Sequence, residues 1–129
     1  MPPPRLSKLE MAIMEVLWTN GASSVRKIQE QFPKRGRPAY NTIQTTIGRL
    51  EGKRAVVRIE KIGNAQIFNA SISRGTAQRR LMDDLMALFG GQTQPVMSYL
   101  VDTGKLTMKD IEDAEAQLRG ILARDDKRP

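Results

Sequence analysis

The sequence predicts a mainly α-helical fold with one small β-hairpin, arranged as a basic part over residues 1–73 and a helical part over residues 74–129. Three observations lead to this. Apolar residues recur at helical spacing in three short N-terminal stretches that Gly or Pro closes off. Two strand-like runs around a Gly-Asn pair follow. Beyond residue 74 the pattern turns to stripes of Leu, Met and Phe with no further strand signal.

The first helix opens at Ser7. Ser7-Lys8-Leu9-Glu10 has the form of a capping box, in which the Ser7 hydroxyl accepts from the Glu10 backbone N–H and the Glu10 side chain reaches back. Leu6 and Met11 fit the flanking hydrophobic staple. Leu9, Ile13, Val16 and Leu17 form its inner stripe, Trp18 is read as a core anchor, and Asn20-Gly21 stops it. Ala22-Ser23 is a short link to a second helix, about Ser24 to Phe32, with Val25, Ile28 and Phe32 inward. The strongly basic segment Pro33-Lys34-Arg35-Gly36-Arg37-Pro38 breaks it.

A third helix is expected from about Ala39 to Gly52, with Ile43, Ile47 and Leu50 committed to the core. Its opposite face carries Asn41, Thr45 and Gly48, flanked by Thr42, Gln44 and Arg49. That face is polar, short-chained and almost free of acid, whereas a merely solvated face ordinarily mixes Glu with Lys. Val56 to Glu60 and Gln66 to Ala70, separated by Lys61-Ile62-Gly63-Asn64, read as a hairpin. Three compact helices followed by a hairpin is the order of a winged helix-turn-helix.

In the second half, Leu81, Leu85 and Leu88 keep helical spacing beside Met82, Met86 and Phe89, from about Arg74 until Gly90-Gly91. A short helix, about Pro95 to Val101, carries Val96, Met97, Leu100 and Val101. Thr107-Met108-Lys109-Asp110 caps a last helix with Ile111, Leu118, Ile121 and Leu122 inward, and the tail from Arg124 to Pro129 is expected to fray. These stripes can form an intramolecular core. Three short helices, however, offer more apolar face than so small a bundle can hide. A three-helix dimerisation domain is therefore expected, burying Leu81, Leu85, Leu88, Phe89, Val96, Met97, Leu100, Ile111 and Leu118 against a second copy. Met and Phe suit an interface that interdigitates.

Composition bounds the function. With 40% hydrophobic and 27% charged residues in 129, the chain has a globular balance rather than a disordered one. No apolar run approaches the roughly 18 residues of a membrane span, and Met1-Pro2-Pro3-Pro4 lacks the apolar core of a signal peptide. No membrane insertion and a cytoplasmic location are expected. The absence of Cys and His removes disulfides, thiolate nucleophiles and the commonest general base and metal ligand, so neither a metal nor a cofactor is implied and an enzyme is not expected. The adjacent Asp83 and Asp84 point away from each other on a helix and read as solvated surface. Net charge is +7, but residues 1–74 hold 13 Lys and Arg against 5 Asp and Glu, while residues 75–129 hold 8 against 9. A basic half joined to a neutral half suggests that one half meets a polyanion and the other meets protein.

The third helix concentrates what sequence-specific binding to double-stranded DNA needs. Asn41 and Gln44 can make bidentate contacts with adenine, and Thr42 and Thr45 can reach a phosphate or a thymine methyl. Arg49, Lys53 and Arg54 lie toward the far end, where backbone phosphates would pass. Arg58 and Lys61 of the hairpin would track the neighbouring groove. The competing reading is a solvated helix beside a basic turn, in a winged-helix adaptor that binds protein without reading DNA sequence.

Taken together, these residues resemble the penicillinase-repressor family, the BlaI/MecI/CopY group of bacterial winged-helix repressors. The likeness covers nearly everything from Leu6 to Leu122. It rests on Leu9-Glu10, Ile13-Met14, Leu17-Trp18 and Ser24-Val25-Arg26-Lys27-Ile28, and most specifically on Ala39-Tyr40-Asn41-Thr42-Ile43-Gln44-Thr45 with Ile47, Arg49-Leu50 and Lys53. Leu88-Phe89-Gly90-Gly91, Leu106-Thr107 and Ile111-Glu112 follow in family order. The resemblance implies a homodimer on a palindromic operator, with Thr42, Gln44 and Thr45 as the principal recognition contacts and Asn41 at the start of the helix. Three departures stand out. Gly63-Asn64-Ala65 lacks the arginine that often follows the turn glycine of the wing. Copper-responsive members carry C-terminal cysteines that this chain does not have. Where β-lactam-responsive members have an Asn-Phe bond cut by a membrane sensor protease, this chain has Ser98-Tyr99: the aromatic remains and the Asn does not, and the resemblance leaves this bond as the candidate for release by such a protease.

Overall fold

Caps decide where the helices begin. The structure, a computed structural model, describes residues 3–126. Helix α1 (Lys8–Asn20) starts with both halves of the capping box: Ser7 Oγ accepts from Glu10 N at 3.2 Å, and Glu10 Oε1 accepts from Ser7 N at 2.8 Å. It ends where Gly21, at φ 81°, donates its N–H to Leu17 O. The expected link at Ala22-Ser23 is instead partly a strand: β1 (Ser23–Ser24) pairs antiparallel with β3 (Ala65–Ala70), Ser23 opposite Phe68 and Ser24 opposite Ile67. Two serines carry no strand signal of their own. The neighbouring strand supplies the pairing.

Helix α2 is Val25–Glu30, capped by Ser24 Oγ accepting from Lys27 N at 3.2 Å. It is shorter than the expected Ser24 to Phe32, since Pro33 disfavours helical backbone at Phe32; the Arg37 guanidinium then donates to Glu30 O at 3.1 Å and to Phe32 O at 2.7 Å. Helix α3 (Tyr40–Gly52) follows Ala39, whose side chain offers no cap. Strands β2 (Val56–Ile62) and β3 form the hairpin, and the three-stranded antiparallel sheet has the order β1-β3-β2. The strands run to Ile62 and Ala65, so the turn is Gly63-Asn64 alone. Gly63 takes φ 59° there, at the position where a two-residue hairpin favours glycine. The register slips between Arg58 and Glu60, leaving Ile59 as a bulge that twists the hairpin.

One core joins these elements. Ile13, Met14 and Leu17 of α1 meet Ile28 of α2 and Ile43, Ile47 and Leu50 of α3, all within 1% of complete burial, with Phe68 of β3 at the sheet side. Leu9, Val16 and Phe32 sit at the margin. Trp18 anchors as expected: its indole N–H donates to Ile72 O at 2.9 Å, and the Arg74 guanidinium stands 5.6 Å from its ring centroid.

The chain divides into two units after Leu85, and helix α4 (Arg74–Leu88) contributes most of its length to the first. The first unit thus extends beyond residue 73. Within it Arg74 pairs with Glu15 at 2.6 Å, and Asp84 pairs with Arg5 at 3.1 Å and Arg80 at 3.3 Å. Asp84, expected as solvated surface, is a half-buried ion-pair partner because the N-terminal segment lies against α4. Its bond from Arg5 holds its carboxyl below the ordinary carboxylate range despite partial desolvation.

The second unit holds the end of α4, closed by Gly90 and Gly91 at φ 65° and 77°, then α5 (Gln94–Asp102) and α6 (Met108–Asp126). Thr107 and Asp110 cap α6 reciprocally, at 3.1 and 2.9 Å. The predicted fraying is corrected over Arg124–Asp126, which are helical; the helix formers Leu122, Ala123 and Arg124 carry the helix on, and Arg124 suits its negative end. Lys127 to Pro129, the rest of that tail, lie outside the described residues. No residue of α5 or α6 is buried within the chain. Among the described residues no helix is long and apolar enough to cross a membrane.

Candidate nucleic-acid interface

Helix α3 has two faces with different commitments. Ile43, Thr46, Ile47 and Leu50 are buried, and Asn41, Thr42, Gln44, Thr45, Gly48 and Arg49 are exposed. Thr46 belongs to the inner face, which the apolar stripe alone did not indicate. Its hydroxyl donates to Thr42 O at 2.7 Å, which lets a polar residue face the core. Among the described residues, the side chains of Asn41, Thr42, Gln44, Thr45 and Arg49 make no hydrogen bond or ion pair with the protein. Their donors and acceptors are directed to solvent. A Cβ built on Gly48 would meet nothing within 4 Å, so packing does not require glycine there; its effect is to leave the helix backbone open to close approach.

The basic residues around this face divide into committed and free. Lys53, just past the end of α3, places its ammonium 2.7 Å from Glu10 Oε1 and 2.8 Å from Arg5 O. Glu10 is only 3% exposed. Burial alone would raise its carboxyl, but the bond from Lys53, the two bonds with Ser7 and the Lys53 charge together bring it below the ordinary carboxylate value. Arg58 of β2 grips Glu51 with both ends of its fork, at 2.8 and 3.3 Å, and lies 5.6 Å from the Phe68 centroid. The bond to Glu51 raises the Arg58 pKa further. Arg49, Arg54 and Lys61 are exposed and, among the described residues, unpaired.

Between α3 and the hairpin runs a cleft of about 530 Å³. Gln44 and Gly48 line one wall and Arg58 and Phe68 the other, with Arg26 of α2 and Tyr40 of α3 at its edges. Arg26 and Tyr40 carry part of the family likeness but are not among the DNA contacts expected from the sequence. An outward-facing arginine two residues after the Ser24 cap was the available signal for the first. The arrangement presents unpaired amides and hydroxyls on a rigid helix, flanked by cations and beside a cleft. This is the chemistry that reads base edges and holds phosphates.

Comparison with known proteins places the chain. A family model described as "Penicillinase repressor" matches residues 6–120. The solution structure of the DNA-binding domain of the repressor BlaI is similar at 24% identity and TM-score 0.50, over 57% of this chain and 89% of that one. A MarR family regulator from Neisseria meningitidis aligns over 95% of this chain and 82% of that one, at 16% identity and TM-score 0.42. No curated protein matches the chain. The winged-helix order of the first unit agrees with the BlaI domain fold. With nearly its whole length matched, the chain belongs to the penicillinase repressor family, a family of DNA-binding transcriptional repressors.

Proposed function

We propose that two copies of this chain bind a palindromic operator, each laying α3 in a major groove, and that a signal releases them. The observation that carries the reading is the polar face of α3, where, among the described residues, Asn41, Thr42, Gln44 and Thr45 keep every side-chain hydrogen-bonding group available beside the unpaired cation of Arg49. Gln44 and Asn41 would read adenine edges, the threonines a thymine methyl or a phosphate. Lys61 would approach the backbone from the hairpin, and Arg58 would do so once it exchanged Glu51 for a phosphate. Lys53 would act from behind, bracing α3 through Glu10.

The second unit supports the paired state. Leu88 is 83% exposed, Leu118 56%, and Phe89, Met97 and Ile111 are at least 40% exposed; Val96 and Leu100 are half-buried. In the first unit Leu81 and Leu85 are exposed on α4. So much exposed Leu, Ile, Met and Phe in each unit calls for a partner surface, and a second copy provides the matching one. The bond between Ser98 and Tyr99 lies inside α5, with Tyr99 55% exposed. Cutting there, by a membrane sensor protease, would sever α6 from the DNA-binding unit and undo the pairing.

Electrophoretic mobility shift on the DNA upstream of its own gene tests the reading. A dimer that neutralises about 6–10 phosphates should lose ~10³–10⁵ in affinity between about 50 and 200 mM salt. No shift at low salt would sink it. Weak binding with no preference among duplexes, alongside tight binding to a protein, would point instead to an adaptor.

A further inference from the structure

Among the described residues seven places adopt a left-handed backbone, and six of them are glycines: Gly21, Gly36, Gly63, Gly90, Gly91 and Gly104. The seventh is Arg54, at φ 63°. Its position is the one after the cap of α3, where a helix turns off: Arg54 N donates to Glu51 O at 3.0 Å and Ala55 N to Leu50 O at 2.9 Å, the paired bonds that glycine ordinarily completes. A side chain with a Cβ is strained there. The surroundings hold it in place all the same. Ser71 Oγ donates to Arg54 O at 2.8 Å, and Ser71 N to Ala55 O at 2.8 Å, so the end of β3 clamps the turn.

The Arg54 side chain offers the fold no return for this strain. It is exposed and, among the described residues, has no ion pair or hydrogen-bond partner. It lines a shallow, open groove of about 550 Å³ at the foot of the hairpin, together with Glu51, Val57, Arg58 and Ser71. Arg58 in that groove is neutralised by Glu51, and the carbonyl end of α3 adds partial negative charge. Arg54 is therefore the groove's uncommitted cation. A residue kept in a strained conformation against the chain's own habit of using glycine marks a functional demand on its side chain.

We propose that Arg54 is a phosphate anchor, held in a left-handed turn so that its guanidinium meets the DNA backbone in the groove at the foot of the hairpin. The inference rests on the operator-binding reading of α3. Beyond the place by the phosphates that the sequence suggests for Arg54, it assigns the strained turn itself to this contact, at the end of the reading helix opposite its first turn.

The test uses the full chain with Arg54→Gly, Arg54→Asn and Arg54→Lys, each measured by thermal melting and by mobility shift. The duplexes are one from upstream of the gene and one unrelated. Arg54→Gly should melt about 4 °C higher, because the strain is relieved. It should bind both duplexes about tenfold more weakly, with the salt slope shallower by about 1 per protomer. Arg54→Asn should follow it in direction. Arg54→Lys should melt like the parent and bind within about threefold of it, since the charge remains. A parent that shifts DNA beside an Arg54→Gly variant that binds equally well at every salt concentration overturns this inference alone. So does a glycine variant that melts lower than the parent. A parent that shifts no duplex overturns the operator reading, and the anchor with it.

Discussion

Glu10 and Lys53 tie the first turn of α1 to the end of α3 through a 2.7 Å ion pair. The carboxylate is buried, the ammonium is about a third exposed, and the second oxygen of Glu10 is buried with no partner of its own among the described residues. Such a pair fixes geometry more than it adds stability, because desolvation offsets much of the attraction. Removing one member is another matter, since it leaves the other charge buried alone.

Lys53→Met should therefore destabilise the protein by roughly 2 kcal/mol, at the low end for a buried pair because Lys53 touches water. Glu10→Gln should be milder, since the amide can still accept from Ser7 and Lys53. The carboxyl of Glu10 is lowered in the folded protein, so its contribution is present above the ordinary value of 4.5 and disappears as pH falls below it. Urea midpoints at neutral pH and near pH 4 measure this. The parent should lose stability between them, and Glu10→Gln should lose less; an equal loss in both would exclude Glu10 as a source of the acid sensitivity.

Gln44→Ala and Thr45→Ala remove exposed groups that support nothing inside the protein, so melting should be unchanged within about 0.5 kcal/mol. Operator affinity should fall by about 1–3 kcal/mol, with discrimination lost at one base position per half-site. Binding to a set of singly altered operators checks it. A uniform loss across all of them would assign these residues to phosphates rather than bases.

Leu118→Glu places a charge at a residue that is 56% exposed in the single chain, so the protomer should keep its fold. If that face meets a second copy, sedimentation should show monomer at concentrations where the parent is dimeric, and operator affinity should fall by at least about tenfold because one half-site is lost. An unchanged sedimentation coefficient would remove α6 from the interface.

Much of this was legible in the chain alone, wherever the determinant spans only a few residues. Ser7 with Glu10 and Thr107 with Asp110 announced helix starts, Gly21 and Gly90-Gly91 announced stops, and Gly63-Asn64 announced the hairpin, because caps and turns are satisfied by neighbours three or four positions away. The two faces of α3 followed from periodicity for the same reason. What depends on distant partners was decided only by the tertiary fold. Strand β1 exists because β3, more than 40 residues on, lies beside it. Lys53, read from the sequence as one more cation of the reading surface, meets Glu10 across 43 residues, and the left-handed turn at Arg54 is clamped by Ser71, 17 residues on. Local hydrogen bonds and hydrophobic spacing write the elements into the sequence. Which charges stay free for another molecule depends on what packing brings within three ångströms, and no local pattern carries that information.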